Sequence, residues 1–142
     1  MWTMLFLLMM PASLAVPLQR ADGQEHSIRV LIVFQSIEGH TRAMAEAVAE
    51  GATSVAGTEV RLRTSDAADP VADVTWADAV ILGSPVHNAN VTPDMLRFIN
   101  QWPFEGGVLR DKIGAAFVTA GGISAGEELT LVNLLHSMMI FG

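Results

Sequence analysis

The sequence predicts an α/β domain in which a doubly wound parallel sheet carries helices on both faces. Ile28 to Phe34 is a nearly continuous apolar run, the pattern of a parallel strand that is buried on both faces. Further strand-like segments alternate with helix-like segments, as the crossover connections between parallel strands require. Three of the strand–helix junctions are rich in glycine, hydroxyl or amide residues, and ligands bind at such junctions in open parallel sheets.

Composition limits the class of protein. The chain has 142 residues, of which 51% are hydrophobic and 16% charged, which suits one domain with a core and excludes a disordered chain. A net charge of −7 argues against nucleic acid as a partner, because Lys and Arg bind phosphate backbones. There is no Cys, and the four His are scattered without metal-ligand spacing. We therefore expect no metal site.

The first 26 residues differ from the rest of the chain. Residues 1–19 carry no charge and contain the apolar run Met4–Met10, which resembles the hydrophobic part of a secretory signal. No Lys or Arg precedes the run, and prolines interrupt it before it reaches the length of a membrane span. Two interpretations stay open: an export signal or membrane tether, or a start codon placed upstream of a cytoplasmic protein. In both, the domain occupies residues 27–142.

The first strand is followed by a predicted helix and an edge strand. The helix covers Thr41 to Val55, and Gly57 ends it. Glu59 to Arg63 alternates in polarity, as a half-exposed strand at the edge of a sheet does. The apolar spacing of the helix predicts that one face packs on the sheet, formed by Met44, Val48, Ala52 and Val55.

Further strand–helix units follow. Ser65 to Asp78 shows too little periodicity to predict a helix, and Ala79 to Leu82 is the next buried strand. Pro93 to Gln101 is a short predicted helix whose inward residues are Met95, Leu96, Phe98 and Ile99.

The last predicted unit is a fourth strand, Ile113 to Thr119, and a helix from Glu127 to His136. Met138 to Phe141 is interpreted as the opening of a fifth strand, and the sequence stops there. We interpret this ending as that of a shortened gene product.

The first loop, residues 35–41, has the composition of a phosphate cradle. Hydroxyls at Ser36 and Thr41 flank Gly39, and the helix that starts beyond them adds its dipole. The loop contains no basic residue, which favours a small mononucleotide, and the chain lacks the glycine patterns of dinucleotide and triphosphate sites. The alternative is an ordinary capped turn, with Ser36 or Thr41 as the N-cap.

Two more loops follow strands on the same edge. The second loop, residues 83–92, offers small and amide groups to the edge of a heterocycle, and His87 either lies against a ring or is a solvent-exposed imidazole. The third loop, residues 119–126, has glycines that allow close approach of a flat ligand, or that simply make it flexible.

Three motifs carry a resemblance to a known family. They are Ser-x-x-Gly-His-Thr from Ser36, Gly-Ser-Pro from Gly83 and Thr-x-Gly-Gly from Thr119, each after a predicted strand. Together they resemble the flavodoxin superfamily, in particular the WrbA-type (tryptophan-repressor-binding-protein type) NAD(P)H:quinone reductases. The resemblance covers Ile28 to Phe141 and implies the strand order 2-1-3-4-(5), with the last strand–helix unit missing here.

The resemblance implies FMN as the cofactor. The first loop would hold its phosphate, and the other two loops its isoalloxazine and ribityl groups. Trp102 or Phe104 would flank the ring, or Trp102 would belong to the core, and His136 lies near a His that approaches the flavin in the family. Glu38 departs from the pattern and must point to solvent. The implied cofactor-binding residues are Ser36, Ile37, Glu38, Gly39, His40, Thr41, Pro85, Val86, His87, Asn88, Ala89, Asn90, Thr119, Ala120, Gly121 and Gly122.

The function that the resemblance implies is hydride transfer from NAD(P)H through FMN to a quinone, in a homo-oligomer. No side chain is needed as a nucleophile, and His87 is a weak candidate for a proton donor. One alternative is a one-electron carrier of the flavodoxin type with a protein electron-transfer partner. The lack of Tyr favours the reductase, because carriers often stack a Tyr on the ring. The other alternative is a non-catalytic domain that holds no flavin.

Overall fold

The computed structural model describes residues 27–142, which form one parallel sheet of four strands in the order β2-β1-β3-β4. The export-signal interpretation falls on residues outside this range. Within it, no helix has the length and apolar character to cross a bilayer. The elements are β1 (Ile28–Phe34), α1 (His40–Thr53), β2 (Thr58–Thr64), α2 (Ala72–Trp76), β3 (Ala79–Pro85), α3 (Pro93–Ile99), a 3₁₀ turn (Glu105–Gly107), β4 (Ile113–Thr119) and α4 (Glu127–Met139).

The sheet is covered on both faces, which confirms the predicted fold class and the order 2-1-3-4. β1 lies in the middle and pairs with β2 on one side and β3 on the other. Its side chains alternate between two apolar clusters, with Leu31 and Val33 in one and Val30 and Ile32 in the other. Helices α2, α3 and α4 contribute to the first cluster, and α1 to the second. Because all four strands are parallel, their carboxyl ends lie at the same end of the sheet.

The inward face of α1 differs in part from the prediction, although Val48 packs on the second cluster as predicted. Thr41 and Ala45 are buried against the sheet, whereas Met44 and Val55 are 42% and 57% exposed. The prediction placed these two residues inward because they are large and apolar. Small residues face the sheet instead, and they let the helix backbone lie close to the strands.

A short helix, α2, occupies the segment in which no helix was predicted. Its start is fixed by Asp69, whose Oδ1 accepts hydrogen bonds from the N–H groups of Val71 and Ala72 at 2.9 and 2.8 Å. The bond from Ala72 is the main reason that the pKa of Asp69 lies below its usual value. Because five residues are too few for an apolar period, the available signals were Asp69 and Pro70 ahead of the helix.

The predicted fifth strand is wrong. Helix α4 continues to Met139, and the residues after it turn back instead of extending. Met138 packs on the first cluster, and Gly114 of β4 leaves room for it: a Cβ there would lie 3.2 Å from the Met138 Sδ. Phe141 stacks on Trp102, with ring centroids 5.3 Å apart. An apolar segment that packs as the last turn of a helix has the same composition as a buried strand.

β4 forms the second edge of the described sheet, and Ile113 at its start is 69% exposed. Its Phe117 lies over Gly83 of β3. A Cβ on Gly83 would stand 2.1 Å from the Phe117 Cζ, so this position accommodates no side chain without moving the ring. Gly83 of the Gly-Ser-Pro motif thus serves the packing of the sheet.

Candidate functional site

A cavity of about 450 Å³ lies at the carboxyl ends of β1, β3 and β4. This volume falls within the range of roughly 300–1,000 Å³ that small-molecule sites occupy. Every residue that lines the cavity belongs to the set predicted from the sequence, and all three loops contribute. The lining consists of Ile37, Glu38, His40, Thr41, Pro85, Val86, Thr119, Ala120 and Gly121.

The first loop is closed by Ser36. Its Oγ accepts hydrogen bonds from the N–H groups of Gly39 at 3.1 Å and Arg42 at 3.2 Å, so the hydroxyl completes a capped turn. Gly39 has φ +95°, a conformation that residues with a Cβ rarely adopt. Both Ser36 and Gly39 lie outside the cavity lining and shape the loop behind it.

Two residues at the start of α1 that line the cavity have unpaired N–H groups. The N–H groups of His40 and Thr41 have no acceptor among the residues that the structure describes, while the next two N–H groups bond to Ser36 and Gly39. Such N–H groups and the helix dipole together favour an anion. Glu38 also lines this corner, but its side chain is exposed to solvent.

Hydrogen bonds join the three loops to one another. The hydroxyls of Thr41 and Thr119 are 2.8 Å apart, which links the start of α1 to the end of β4. The N–H of Val86 donates to the carbonyl of Thr119 at 2.8 Å, which links the second loop to the third. Thr41 is only 2% exposed, so its hydroxyl braces the loops.

The second loop ends in a tight turn beyond the cavity. His87 and Asn90 exchange two backbone hydrogen bonds of 2.8 and 3.0 Å, and the central residues Asn88 and Ala89 have φ +50° and +57°. Positive φ at both central residues defines a type I′ turn. None of these four residues lines the cavity, and the side chain of His87 is exposed. Their contact with a flavin stays a prediction, as does the proton-donor role of His87.

The third loop leaves open space at its glycines. A Cβ on Gly121 or Gly122 would meet no atom within 4 Å, and Gly121 lines the cavity. The rest of the loop is ordered by Glu127, whose carboxylate accepts hydrogen bonds of 2.6 Å from the N–H groups of Ser124 and Ala125. Hydrogen bonds from its own backbone N–H and from these two groups lower the pKa of Glu127.

The aromatic residues considered from the sequence lie elsewhere. Trp102 is buried in the first apolar cluster, where its ring meets Phe98 edge-on at 5.8 Å. Phe104 is 63% exposed and packs on Phe141. Together with His136, both line a separate open groove of about 590 Å³ between α3 and α4. Trp102 is therefore a core residue, the second of the two interpretations.

Sequence reasoning missed a buried hydroxyl pair at the base of the second loop. Ser84 Oγ lies 3.3 Å from Thr92 Oγ1 and also accepts a hydrogen bond from the Thr92 N–H. Ser84 is fully buried and Thr92 is 2% exposed, so the pair fixes the two ends of the loop. The position of Thr92 directly before a helix that begins with Pro was the available signal.

The model of the NADPH-dependent FMN reductase family matches residues 28–141. The chain belongs to that family. Membership confirms the flavodoxin-like superfamily that the three motifs indicated. Within residues 27–142, no group of three or more His, Asp or Glu side chains is arranged to hold a metal ion.

Relatives and solved structures agree with this family. A flavodoxin of Aquifex aeolicus is 40% identical over 119 residues, covering 80% of this chain and 62% of its own length. An NAD(P)H dehydrogenase (quinone) of Methylocella silvestris is 33% identical over 137 residues, covering 80% of this chain and 67% of its own length. A WrbA-like flavodoxin structure from Agrobacterium tumefaciens has a TM-score of 0.70 at 27% identity, and the match covers 82% of this chain and 74% of that one.

Proposed function

We propose that this member of the FMN reductase family binds one FMN in the cavity at the carboxyl edge of the sheet. The observation that carries the proposal is the pair of unpaired N–H donors of His40 and Thr41, two residues of a cavity lined by all three motif loops. They are neutral donors at a helix start, which suits the phosphate of a mononucleotide.

The other parts of the cavity suit the rest of the cofactor. Because Gly121 has no side chain and faces open space, a flat ring can approach its backbone. Pro85 and Val86 supply apolar contact from the second loop. Glu38 is the one feature against an anion here, and its exposure lets the carboxylate stay hydrated while the phosphate binds the N–H groups.

Bound FMN would supply redox chemistry, and the chain's own residues would bind and orient it. His40 and Thr41 would hold the phosphate through their backbone. The Thr41–Thr119 and Val86–Thr119 hydrogen bonds would keep the three loops at fixed separations, so that the site needs little rearrangement on binding.

We propose NAD(P)H-dependent quinone reduction as the activity. Two features support it beside the name of the Methylocella relative. Among the described residues, no Phe or Trp lines the cavity, and the chain has no Tyr. A ring bound here would keep one face open for a nicotinamide and a quinone to approach. A one-electron carrier is the second candidate, supported by the Aquifex flavodoxin.

The test is a titration of FMN fluorescence with the full-length chain. We expect saturable one-to-one quenching, weakened in the double variant Ser36→Ala/Thr41→Ala. The matched control is Thr53→Ala/Ser54→Ala, which removes the same two hydroxyl types at the opposite end of α1, where they bond to Ala49 and Gly51 carbonyls. A folded protein that quenches no FMN would refute the proposal.

Turnover separates the two activities once binding is established. NADH or NADPH oxidation that depends on both FMN and a quinone would support the reductase. Binding of FMN without such turnover, together with electron exchange with a redox protein, would support the carrier.

We further propose that residues 1–26 are an export or membrane segment outside the FMN domain. Support comes from the absence of charge in residues 1–19 and from the start of the family match at residue 28. Fractionation of cells that express the full chain tests it, since recovery of uncleaved protein in the cytoplasm would contradict it.

A further inference from the structure

The turn formed by His87 to Asn90 needs support from outside itself. Asn88 and Ala89 both have positive φ, a conformation that is costly for residues with a Cβ and especially for Ala, which has no side chain to bond locally. Such a turn persists where its surroundings hold it. In this structure the support comes from α4.

The first support is a backbone contact at the start of α4. Gly126 has φ +100°, and a Cβ built on it would lie 2.7 Å from the Cα and 2.9 Å from the Cβ of Ala89. The tip of the turn therefore rests directly on the backbone of Gly126. A larger residue at either position would push the turn away from the helix.

The second support is a side-chain hydrogen bond two helical turns later. Asn133 Nδ2 donates to Asn90 Oδ1 at 3.1 Å. The same Oδ1 accepts the backbone N–H of Val91 at 2.8 Å, which fixes the orientation of the Asn90 amide because that N–H can only donate. Asn133 must therefore donate through its NH₂ group, so the donor and the acceptor of this side-chain hydrogen bond cannot be exchanged.

The two supports lie on one face of the helix. Gly126 and Asn133 are seven residues apart, which is two turns of an α-helix. The turn they hold follows Val86, which lines the cavity and bonds to Thr119. A shift of the turn would thus be transmitted to the wall of the cavity through one intervening peptide.

We propose that Asn133 is a positioning residue of the candidate FMN site, which holds the second loop through the side chain of Asn90. This inference rests on the proposed function. It assigns a role to a helix residue that touches none of the cavity lining, and it predicts that Asn133 acts through Asn90 and not on its own.

A double-mutant cycle on FMN affinity tests this assignment in the full-length chain. We expect Asn133→Ala to raise the FMN Kd about two- to five-fold, because loss of one hydrogen bond between neutral groups lowers the fraction of molecules whose second loop is in the binding conformation. In an Asn90→Ala background, Asn133→Ala should have no further effect. Ser137→Ala is the control: it removes the hydroxyl that donates to the Asn133 carbonyl but leaves the side-chain bond between Asn133 and Asn90 in place, and its Kd should equal that of the parent.

Two further measurements complete the test, hydrogen exchange and thermal unfolding. Hydrogen exchange of the Val91 N–H should be faster in Asn133→Ala, because its acceptor loses the partner that holds it. The melting temperature of each variant shows whether it folds. An unchanged Kd in a folded Asn133→Ala, or equal effects of Asn133→Ala in both backgrounds, would overturn the assignment while FMN binding stands. If the parent chain binds no FMN, the proposed function fails, and the positioning role fails with it.

Discussion

The bond between Thr41 and Thr119 allows a prediction in which two similar substitutions have different costs. Thr41 is 2% exposed and its hydroxyl has one partner, the hydroxyl of Thr119 at 2.8 Å. Thr119 is half-buried beside the cavity, where water can replace a lost partner. Thr41→Val therefore removes the buried hydroxyl itself and should cost about 1 kcal/mol. Thr119→Val leaves the Thr41 hydroxyl buried without a partner and should cost about 2 kcal/mol.

The double variant should be less destabilised than the sum of the two single variants, because the orphaned hydroxyl is gone. Thermal unfolding followed by circular dichroism measures these costs, with a change of roughly 4 °C in melting temperature for each kcal/mol in a domain of this size. Additive effects, or a larger cost for Thr41→Val than for Thr119→Val, would refute the argument from burial. Thr53→Val, on the exposed end of α1, is the control for the Thr-to-Val exchange itself.

Three further predictions concern packing, binding and pH. Gly83→Ala should lower stability by about 1–3 kcal/mol through the clash with the Phe117 ring, and Phe117→Leu in the same chain should restore part of it in urea unfolding. Gly121→Val should leave the melting temperature unchanged, since its side chain meets open space, but weaken FMN binding about tenfold in the fluorescence titration. The pKa of Glu127 is lowered in the fold, so its stabilisation is present above its ordinary value of 4.5 and is lost as the pH falls through the folded pKa. Glu127→Gln should accordingly melt below the parent at pH 7, and the two curves should converge in acid; a difference independent of pH would contradict this.

The sequence predicted those parts of the fold in which a local pattern of residues is compatible with only one secondary structure. β1 has the predicted bounds because a nearly continuous apolar run, broken only by Arg29, fits a strand buried on both faces, and β4 has the predicted bounds although its residues are exposed or half-buried. The inward face of α1 could be predicted from apolarity only in part: Val48 packs on the second cluster as predicted, but the fully buried positions are the small residues Thr41 and Ala45. The end of α4 could not be predicted either. Met138 is compatible with a helix or a strand, and its contact with Gly114 of β4 is not visible in the sequence.

The candidate site also has features that could be predicted from the sequence and features that could not. The meeting of the three loops could be predicted, because parallel strands bring the loops that follow them to the same end of the sheet, whereas the individual residues were implied by the family resemblance. The hydrogen bonds between those loops could not. Thr41 looked like a donor to a ligand, but its hydroxyl is used by Thr119, which is 78 residues away. Asn133 carried no signal at all, because its partner Asn90 lies 43 residues away in a loop.

The outer edge of β4 has a consequence for how the protein behaves in concentrated solution. Among the described residues no strand pairs with this edge, and Ile113 to Thr119 contains neither a charged residue nor a proline. Charges and prolines are the usual means by which sheets prevent edge-to-edge association. In the part of the chain that the structure describes, the outward N–H and C=O groups of β4 are therefore open to pairing with a further strand. A lysine in place of Ala115 would oppose such pairing between molecules.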